Sequence, residues 1–135
     1  MEYQIDASSI SNEDAIIHIK QSNIDFGTTK ATSDTLPNPA ELLLGSFSAC
    51  MLKNVERFSK MMKFNFTKAT VEVKATRLEK PPRMENILYN LHIYSDDKTL
   101  NTVLLKKNIE KHGTIYNTLN LACNINGTIN IKTDV

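Results

Sequence analysis

The most apolar segment of the chain follows a clear helix start. Asn38 is a preferred N-cap, Pro39 fits the first helical position, and Glu41 falls where the carboxylate of a capping box reaches back. Within Leu42–Leu52 no polar side chain is larger than serine, so every face of a helix there is compatible with burial. The pattern predicts a long helix over residues 39–62 around which the rest of the chain packs.

The character of this helix changes near Cys50. Before the cysteine, small side chains would let another backbone approach closely, and after Leu52 charged residues give the helix one solvent-facing side. The thiol of Cys50 therefore lies where a fully buried helix becomes amphipathic. The small residues are Gly45, Ser46, Ser48 and Ala49, and the expected core residues are Met51, Phe58, Met61, Met62, Phe64 and Phe66.

Alternation of apolar and polar positions predicts strands on both sides of the helix. Ile16–Lys20 and the patch at Ile24–Phe26 form a hairpin joined by residues 21–23, and a non-periodic loop then leads to Pro39. After the helix, residues 65–80 and 84–96 alternate as two long strands, with a proline-containing loop between them.

The C-terminal third predicts two helices and a final strand. Asp96 or Asp97 caps a helix that stops at His112, and residues 116–123 form a shorter helical segment. Isoleucines at positions 125, 129 and 131 predict a β-rich tail, in which Asn126-Gly127 is the best type I′ turn. Grouped strands predict an α+β fold with antiparallel sheets, and such an apolar helix favours cover by a second subunit.

Composition narrows the function classes. The chain has 135 residues, which suits a single domain over 1–135, and 16 basic against 15 acidic residues give no reason to expect a nucleic-acid or anionic-membrane partner. The N-terminus lacks signal-peptide character and no apolar run approaches about 18 residues, so we expect a cytoplasmic protein without a membrane span. Two cysteines without histidines at ligand spacing predict free thiols, no metal and no cofactor.

The segment Asn38-Pro39-Ala40-Glu41-Leu42, followed eight residues later by Cys50 after a run of small residues, resembles the OsmC/Ohr family of osmotically inducible and organic-hydroperoxide-resistance proteins. The resemblance implies a long central buried helix in an intertwined α+β homodimer, with sites at the subunit interface. It also implies reduction of organic hydroperoxides through a cysteine pair. Cys50 matches the peroxide-attacking cysteine, and Glu41 is the nearest match to the acidic residue of the site.

Three positions depart from the family's peroxidase pattern. Ala40 directly follows the proline where the peroxidases have the acidic residue, and Gly113 occupies the slot of the second, resolving cysteine. The N-terminal arginine of the peroxidase site has no counterpart before Arg57, although Lys30 is a stand-in to test. Cys123, ten positions past the empty slot, is the one remaining thiol.

These departures leave two hypotheses. A thiol attacks peroxide as the thiolate, so its pKa of about 8.5 must be lowered by a neighbouring charge or dipole. Cys50 lies about three turns into the helix, beyond the dipole, so the cation would be Lys30, Arg57 or a partner-chain residue. The first hypothesis is a peroxidase that uses Cys50, an organic hydroperoxide and an external thiol or dithiol reductant. The second is a non-catalytic OsmC-like dimer that binds a small molecule or is structural.

Each candidate residue also has a purely structural explanation. Cys50 and Cys123 are equally explained as small hydrophobic residues of the core, which is the usual role of a free cysteine. Glu41 is readily explained as a helix-start carboxylate. His112, just before Gly113, is readily explained as a cation that favours a helix C-terminus.

Overall fold

The structure is a computed structural model that describes residues 1–133. The chain divides into two compact units, Met1–Leu43 and Leu44–Val135. The described residues contain two three-stranded sheets and three α-helices, which confirms the α+β class.

The N-terminal unit is an antiparallel meander in the order β1-β2-β3, with strands at Asp6–Ser9, Ala15–Ile19 and Ser22–Phe26. The hairpin is tighter than its sequence predicts. Lys20 has φ 54°, a left-handed conformation that closes a two-residue turn, so Ser22 already pairs with Ile19 inside β3. The strand β1 was not predicted, because its four residues, Asp6–Ser9, show no alternation of apolar and polar side chains.

One carboxylate fixes the loop that follows β3. Asp14 Oδ1 accepts hydrogen bonds from Thr32 Oγ1 at 2.7 Å, Thr29 Oγ1 at 3.0 Å, and the backbone amides of Thr28 and Thr29 at 3.1 and 3.2 Å. The hydrogen bond from Thr32 lowers the pKa of Asp14 below its ordinary value; desolvation opposes this shift, and the bonds from Thr28 and Thr29 add to it. The segment is therefore an ordered connection, with a 3₁₀ turn at Lys30–Thr32.

The helix α1 spans Pro39–Met61, as its start signal predicts. Asn38 Oδ1 accepts from the Glu41 amide at 2.8 Å, and Glu41 Oε1 accepts from the Asn38 amide at 3.1 Å, which completes the capping box. The single chain leaves part of this helix uncovered, so burial on every face stays a prediction that depends on a second subunit. Leu43 and Leu52 are 37% and 36% exposed, and nothing lies within 4 Å of a Cβ built at Gly45.

The second sheet combines an antiparallel and a parallel pair. The strands β4 (Lys68–Glu79) and β5 (Pro82–Tyr94) form the predicted long hairpin, whereas β6 (Ile125–Lys132) lies parallel to β5 on its other side. The all-antiparallel expectation and the turn at Asn126-Gly127 are therefore wrong. Gly127 pairs with Tyr89, and a Cβ there would fall 2.2 Å from the tyrosine ring, so the glycine makes room for the ring.

Two helices connect β5 to β6. The helix α2 spans Thr102–His112 and α3 spans Thr114–Asn120, with Gly113 between them, close to the predicted bounds. The cap of α2 is Asn101, whose Oδ1 accepts from the Leu104 amide at 3.0 Å. The predicted caps, Asp96 and Asp97, are wrong because Asp97 is bound elsewhere: it accepts from the amides of Asn65 and Thr99, both at 2.9 Å.

The hydrophobic core lies in the second unit, between the inward face of the sheet and one side each of α1, α2 and α3. Most of the expected core residues are there, but Met61 is 63% exposed, because it lies at the last position of α1. No helix of the described residues is long and apolar enough to cross a membrane. The buried apolar residues of this unit are Phe47, Met51, Val55, Phe58, Phe64, Ile87, Tyr89, Leu91, Ile93, Leu100, Leu105, Ile109 and Tyr116.

Candidate functional site around Cys50

Cys50 lies one residue before the buried Met51 on α1 and is itself half-buried. Asn54, one turn later, donates from Nδ2 to the Cys50 carbonyl oxygen at 2.8 Å, and the same nitrogen lies 3.7 Å from the Cys50 sulfur. Asn54 is 8% exposed, so this amide is held in place. The sulfur therefore has a polar amide beside it, on a residue that is only partly buried.

Gly113 faces the sulfur from the junction of α2 and α3. A Cβ at this position would lie 3.2 Å from Cys50 Sγ, 3.1 Å from Tyr116 Cβ and 2.9 Å from the Ile109 carbonyl oxygen. Its backbone angles, φ −72° and ψ 114°, are open to any residue. Space, not backbone conformation, is therefore the reason for glycine here, and bare backbone forms one wall of the Cys50 site.

Cys123 lies away from this wall. Its sulfur donates to the Met84 carbonyl oxygen at 3.3 Å, and the residue packs against the hydrophobic core, as the core interpretation expects. Burial, and secondarily the charge of Glu85, raise the pKa of the Cys123 thiol. The seven residues of α3 separate Cys123 from Gly113 by about 10 Å of helix. The structure does not bring the two cysteines together.

No basic side chain of the second unit's described residues forms a hydrogen bond with the Cys50 sulfur. Among the unit's described residues, 44–133, the Asn54 amide is the one side-chain donor to Cys50, and no lysine or arginine nitrogen hydrogen-bonds to it. Arg57 instead places its guanidinium carbon 5.4 Å from the centre of the Phe58 ring. His112 packs on the same ring, with centroids 5.6 Å apart, and is the last residue of α2.

The remaining predicted site residues lie in the N-terminal unit. Lys30 opens the 3₁₀ turn of the loop anchored by Asp14, and its side chain is exposed. Glu41 is exposed too, and one of its oxygens is engaged in the helix cap. The cap accounts for Glu41 structurally, and its catalytic role stays a prediction.

Sequence reasoning missed a polar cluster behind the site. Tyr89 donates from its hydroxyl to Glu110 Oε2 at 2.6 Å, and Lys106 Nζ lies 2.8 Å from the same oxygen. Burial, and then the hydrogen bond to Glu110, raise the pKa of Tyr89 well above its ordinary value. Burial and the charge of Glu110 likewise raise the pKa of Tyr116. The available signal was the position of Tyr89 on the inward, apolar side of an alternating strand.

Comparison with known families decides the assignment. A family model described as OsmC-like protein matches residues 32–128, which is most of the chain. The chain belongs to the OsmC-like family. The matched region includes Cys50, Gly113 and Tyr89, whereas a search of curated proteins finds no match.

Solved structures show the same fold at low identity. An OsmC-like protein from Mycoplasma pneumoniae superposes with a TM-score of 0.82 at 18% identity, covering 97% of each chain. An organic hydroperoxide resistance protein from Elizabethkingia anophelis gives a TM-score of 0.67 at 16% identity and covers 99% of each chain. Another, from Legionella pneumophila, gives 0.64 at 16% identity, covering 96% of this chain and 97% of its own.

Proposed function

We propose that this OsmC-like protein is a thiol-dependent reductase of organic hydroperoxides in which Cys50 is the attacking residue. Its support is family membership together with the fold shared with hydroperoxide resistance proteins. We further propose that it acts in the cytoplasm and uses no metal or cofactor.

One observation carries the proposal. The resemblance assigns Gly113 to the slot of the second cysteine on sequence alone, and this residue lies against the Cys50 sulfur. A position 63 residues further along the chain would have no reason to face Cys50 if the correspondence were accidental. Cys50 as a residue is also only partly buried.

The reaction balances without a second protein thiol. The Cys50 thiolate attacks one peroxide oxygen, the O–O bond breaks, and the alkoxide takes a proton to leave as an alcohol, so that Cys50 becomes a sulfenic acid. An external thiol then displaces water and forms a mixed disulfide with Cys50. A second equivalent of thiol attacks that disulfide, regenerates Cys50 and leaves as the oxidised disulfide. The external reductant is required because Cys123 is bound to the core at the far end of α3.

We also propose that the protein is a homodimer. Its first support is the uncovered side of α1, where Leu43 and Leu52 are exposed to solvent and the space around Gly45 is empty. Its second support is the N-terminal unit, in which Ala15 is the one described apolar residue that is buried. A second copy would cover this surface. It is also one source of the cation that the peroxidase needs beside Cys50, since no lysine or arginine among residues 44–133 hydrogen-bonds to the sulfur. Lys30 is the residue to test as that cation, and Glu41 is the residue to test as the acidic group of the site.

A specific observation favours the second candidate function, a non-catalytic OsmC-like dimer that binds a small molecule or is structural. Within the described residues of the second unit, no lysine or arginine hydrogen-bonds to the Cys50 sulfur, and Cys123 is bonded to the Met84 carbonyl oxygen instead of lying beside Cys50. A thiol without these supports reacts with peroxide no faster than a free thiol in solution.

Stopped-flow oxidation separates the two functions. Reduced protein is mixed with cumene hydroperoxide while the loss of peroxide and of the Cys50 thiol is followed, with Cys50→Ser and Cys123→Ser as matched variants. The peroxidase predicts rapid consumption that Cys50→Ser abolishes and Cys123→Ser preserves. A rate no higher than that of a free thiol at the same pH would rule the peroxidase out and leave the non-catalytic dimer.

A further inference from the structure

Tyr89 contacts both helices that form the Cys50 site. Its ring lies on Phe47 of α1, with centroids 6.0 Å apart, and its hydroxyl binds Glu110 of α2 at 2.6 Å. Phe47 comes three residues before Cys50 on the same helix, and Glu110 comes three residues before Gly113. One residue of the central strand β5 therefore contacts both of the helices that carry the site.

Tyr89 is itself held rigidly. It is 2% exposed, and its ring covers Gly127 of β6 so closely that a Cβ there would fall 2.2 Å from a ring carbon. The hydroxyl therefore has a fixed position relative to the sheet. A bond made by a fixed, buried hydroxyl to a carboxylate is a strong positional restraint, because breaking it would leave a polar group unsatisfied away from water.

The second bond to the same carboxylate oxygen has a different effect. Lys106 Nζ lies 2.8 Å from Glu110 Oε2, but both residues are on α2, one turn apart, and their side chains are partly exposed. This pair supports the helix without attaching it to the sheet. The chain thus offers a matched comparison: one bond ties α2 to β5, and another uses the same oxygen but does not.

We propose that Tyr89 and Glu110 are positioning residues for Cys50, whose hydrogen bond attaches the end of α2 to the sheet and thereby holds Gly113 against the sulfur. The inference rests on the proposed function for its consequence in catalysis. The geometric part, that this bond sets the gap between Cys50 and Gly113, holds for either candidate function.

The test compares Tyr89→Phe with Lys106→Met, both in a Cys123→Ser background. Cys50 alkylation by iodoacetamide and its oxidation by cumene hydroperoxide are measured under conditions where urea titration shows every variant to be folded. We expect Tyr89→Phe to lower the rate of Cys50 oxidation by cumene hydroperoxide about tenfold, because a shift of the Gly113 backbone would move the reactants out of the geometry that the reaction needs. Alkylation, which needs only access, should rise. Lys106→Met should change neither rate by more than about twofold, as expected for a partly exposed pair.

A conservative variant sharpens the test. Glu110→Gln keeps a carbonyl oxygen that can accept from Tyr89, whereas Glu110→Ala removes it, so the loss in the glutamine variant should be the smaller one. A third measurement uses Gly113→Cys, in which the equilibrium of the 50–113 disulfide with glutathione reports the gap directly. Adding Tyr89→Phe should lower its effective concentration about tenfold, and adding Lys106→Met should not.

The outcomes distinguish the inference from the proposed function. Equal alkylation rates in Tyr89→Phe and Lys106→Met would overturn the positioning role, whether or not the cysteine variant at 113 folds. If the wild type reduces no peroxide but the alkylation difference persists, the positioning role stands and the peroxidase proposal fails. If the wild type reduces peroxide but the alkylation rates are equal, the peroxidase proposal stands and the positioning role fails.

Discussion

Replacing Gly113 by cysteine tests the geometry of the Cys50 site. A disulfide holds the Cβ of one cysteine about 3 Å from the sulfur of the other. The Cβ built at Gly113 lies 3.2 Å from Cys50 Sγ, so the bond needs only a small adjustment. We expect Gly113→Cys to form an intramolecular disulfide with Cys50 when the folded protein is oxidised.

The structure also sets the size of the effect on stability. Closing a loop of about 60 residues between positions 50 and 113 stabilises the folded protein by about 4 kcal/mol in the chain-entropy model. The new Cβ opposes this, because it would lie 2.9 Å from the Ile109 carbonyl oxygen and 3.1 Å from Tyr116 Cβ. Crowding of this kind costs about 1–3 kcal/mol. The oxidised variant should therefore exceed the wild type by about 1–3 kcal/mol.

The assay combines peptide mapping under non-reducing conditions with urea unfolding of the oxidised and reduced forms. Gly113→Ala is the matched control, since it carries the crowding Cβ without the sulfur and should be destabilised by the crowding alone. A Cys123→Ser background removes the competing thiol. If oxidation of the folded variant leaves residues 50 and 113 unlinked, the arrangement of the α2–α3 junction against α1 is wrong.

Three further predictions follow from separate parts of the molecule. Gly127→Ala should destabilise the protein by about 1–3 kcal/mol in urea unfolding, because the methyl group would collide with the buried Tyr89 ring; an unchanged midpoint would contradict that packing. The pKa of Asp14 is lower in the folded protein than in the unfolded chain, where it is about 4. Its carboxylate therefore stabilises the folded state above about pH 4. This stabilisation is lost as the pH falls through the lower, folded-state pKa. Asp14→Asn should therefore flatten the loss of stability in acid unfolding, and a parallel curve would refute the hydrogen-bond account. Leu52→Lys should shift the proposed dimer to monomer in sedimentation equilibrium, whereas a substitution at the exposed Lys53 serves as the control.

Local rules were sufficient for much of the fold. The capping box at Asn38 and Glu41, the alternation along β4 and β5, and the stop at His112-Gly113 are short-range patterns, and the structure confirms each of them. The failures were also local. Asn126-Gly127 satisfies the rule for a type I′ turn, but the parallel pairing of β6 with β5 places that glycine under a tyrosine ring.

Some features of the candidate site follow from a single segment, and others depend on the tertiary structure. The sequence by itself determined the helix, the cysteine on it and the family, because those depend on spacing along one segment. Only the tertiary structure decided that Gly113 lies against the Cys50 sulfur, that Cys123 is bound to Met84 instead, and that Tyr89 holds Glu110. These contacts join residues 21 to 63 positions apart, and the chemistry of a thiol depends on such neighbours, which no pattern along the chain specifies.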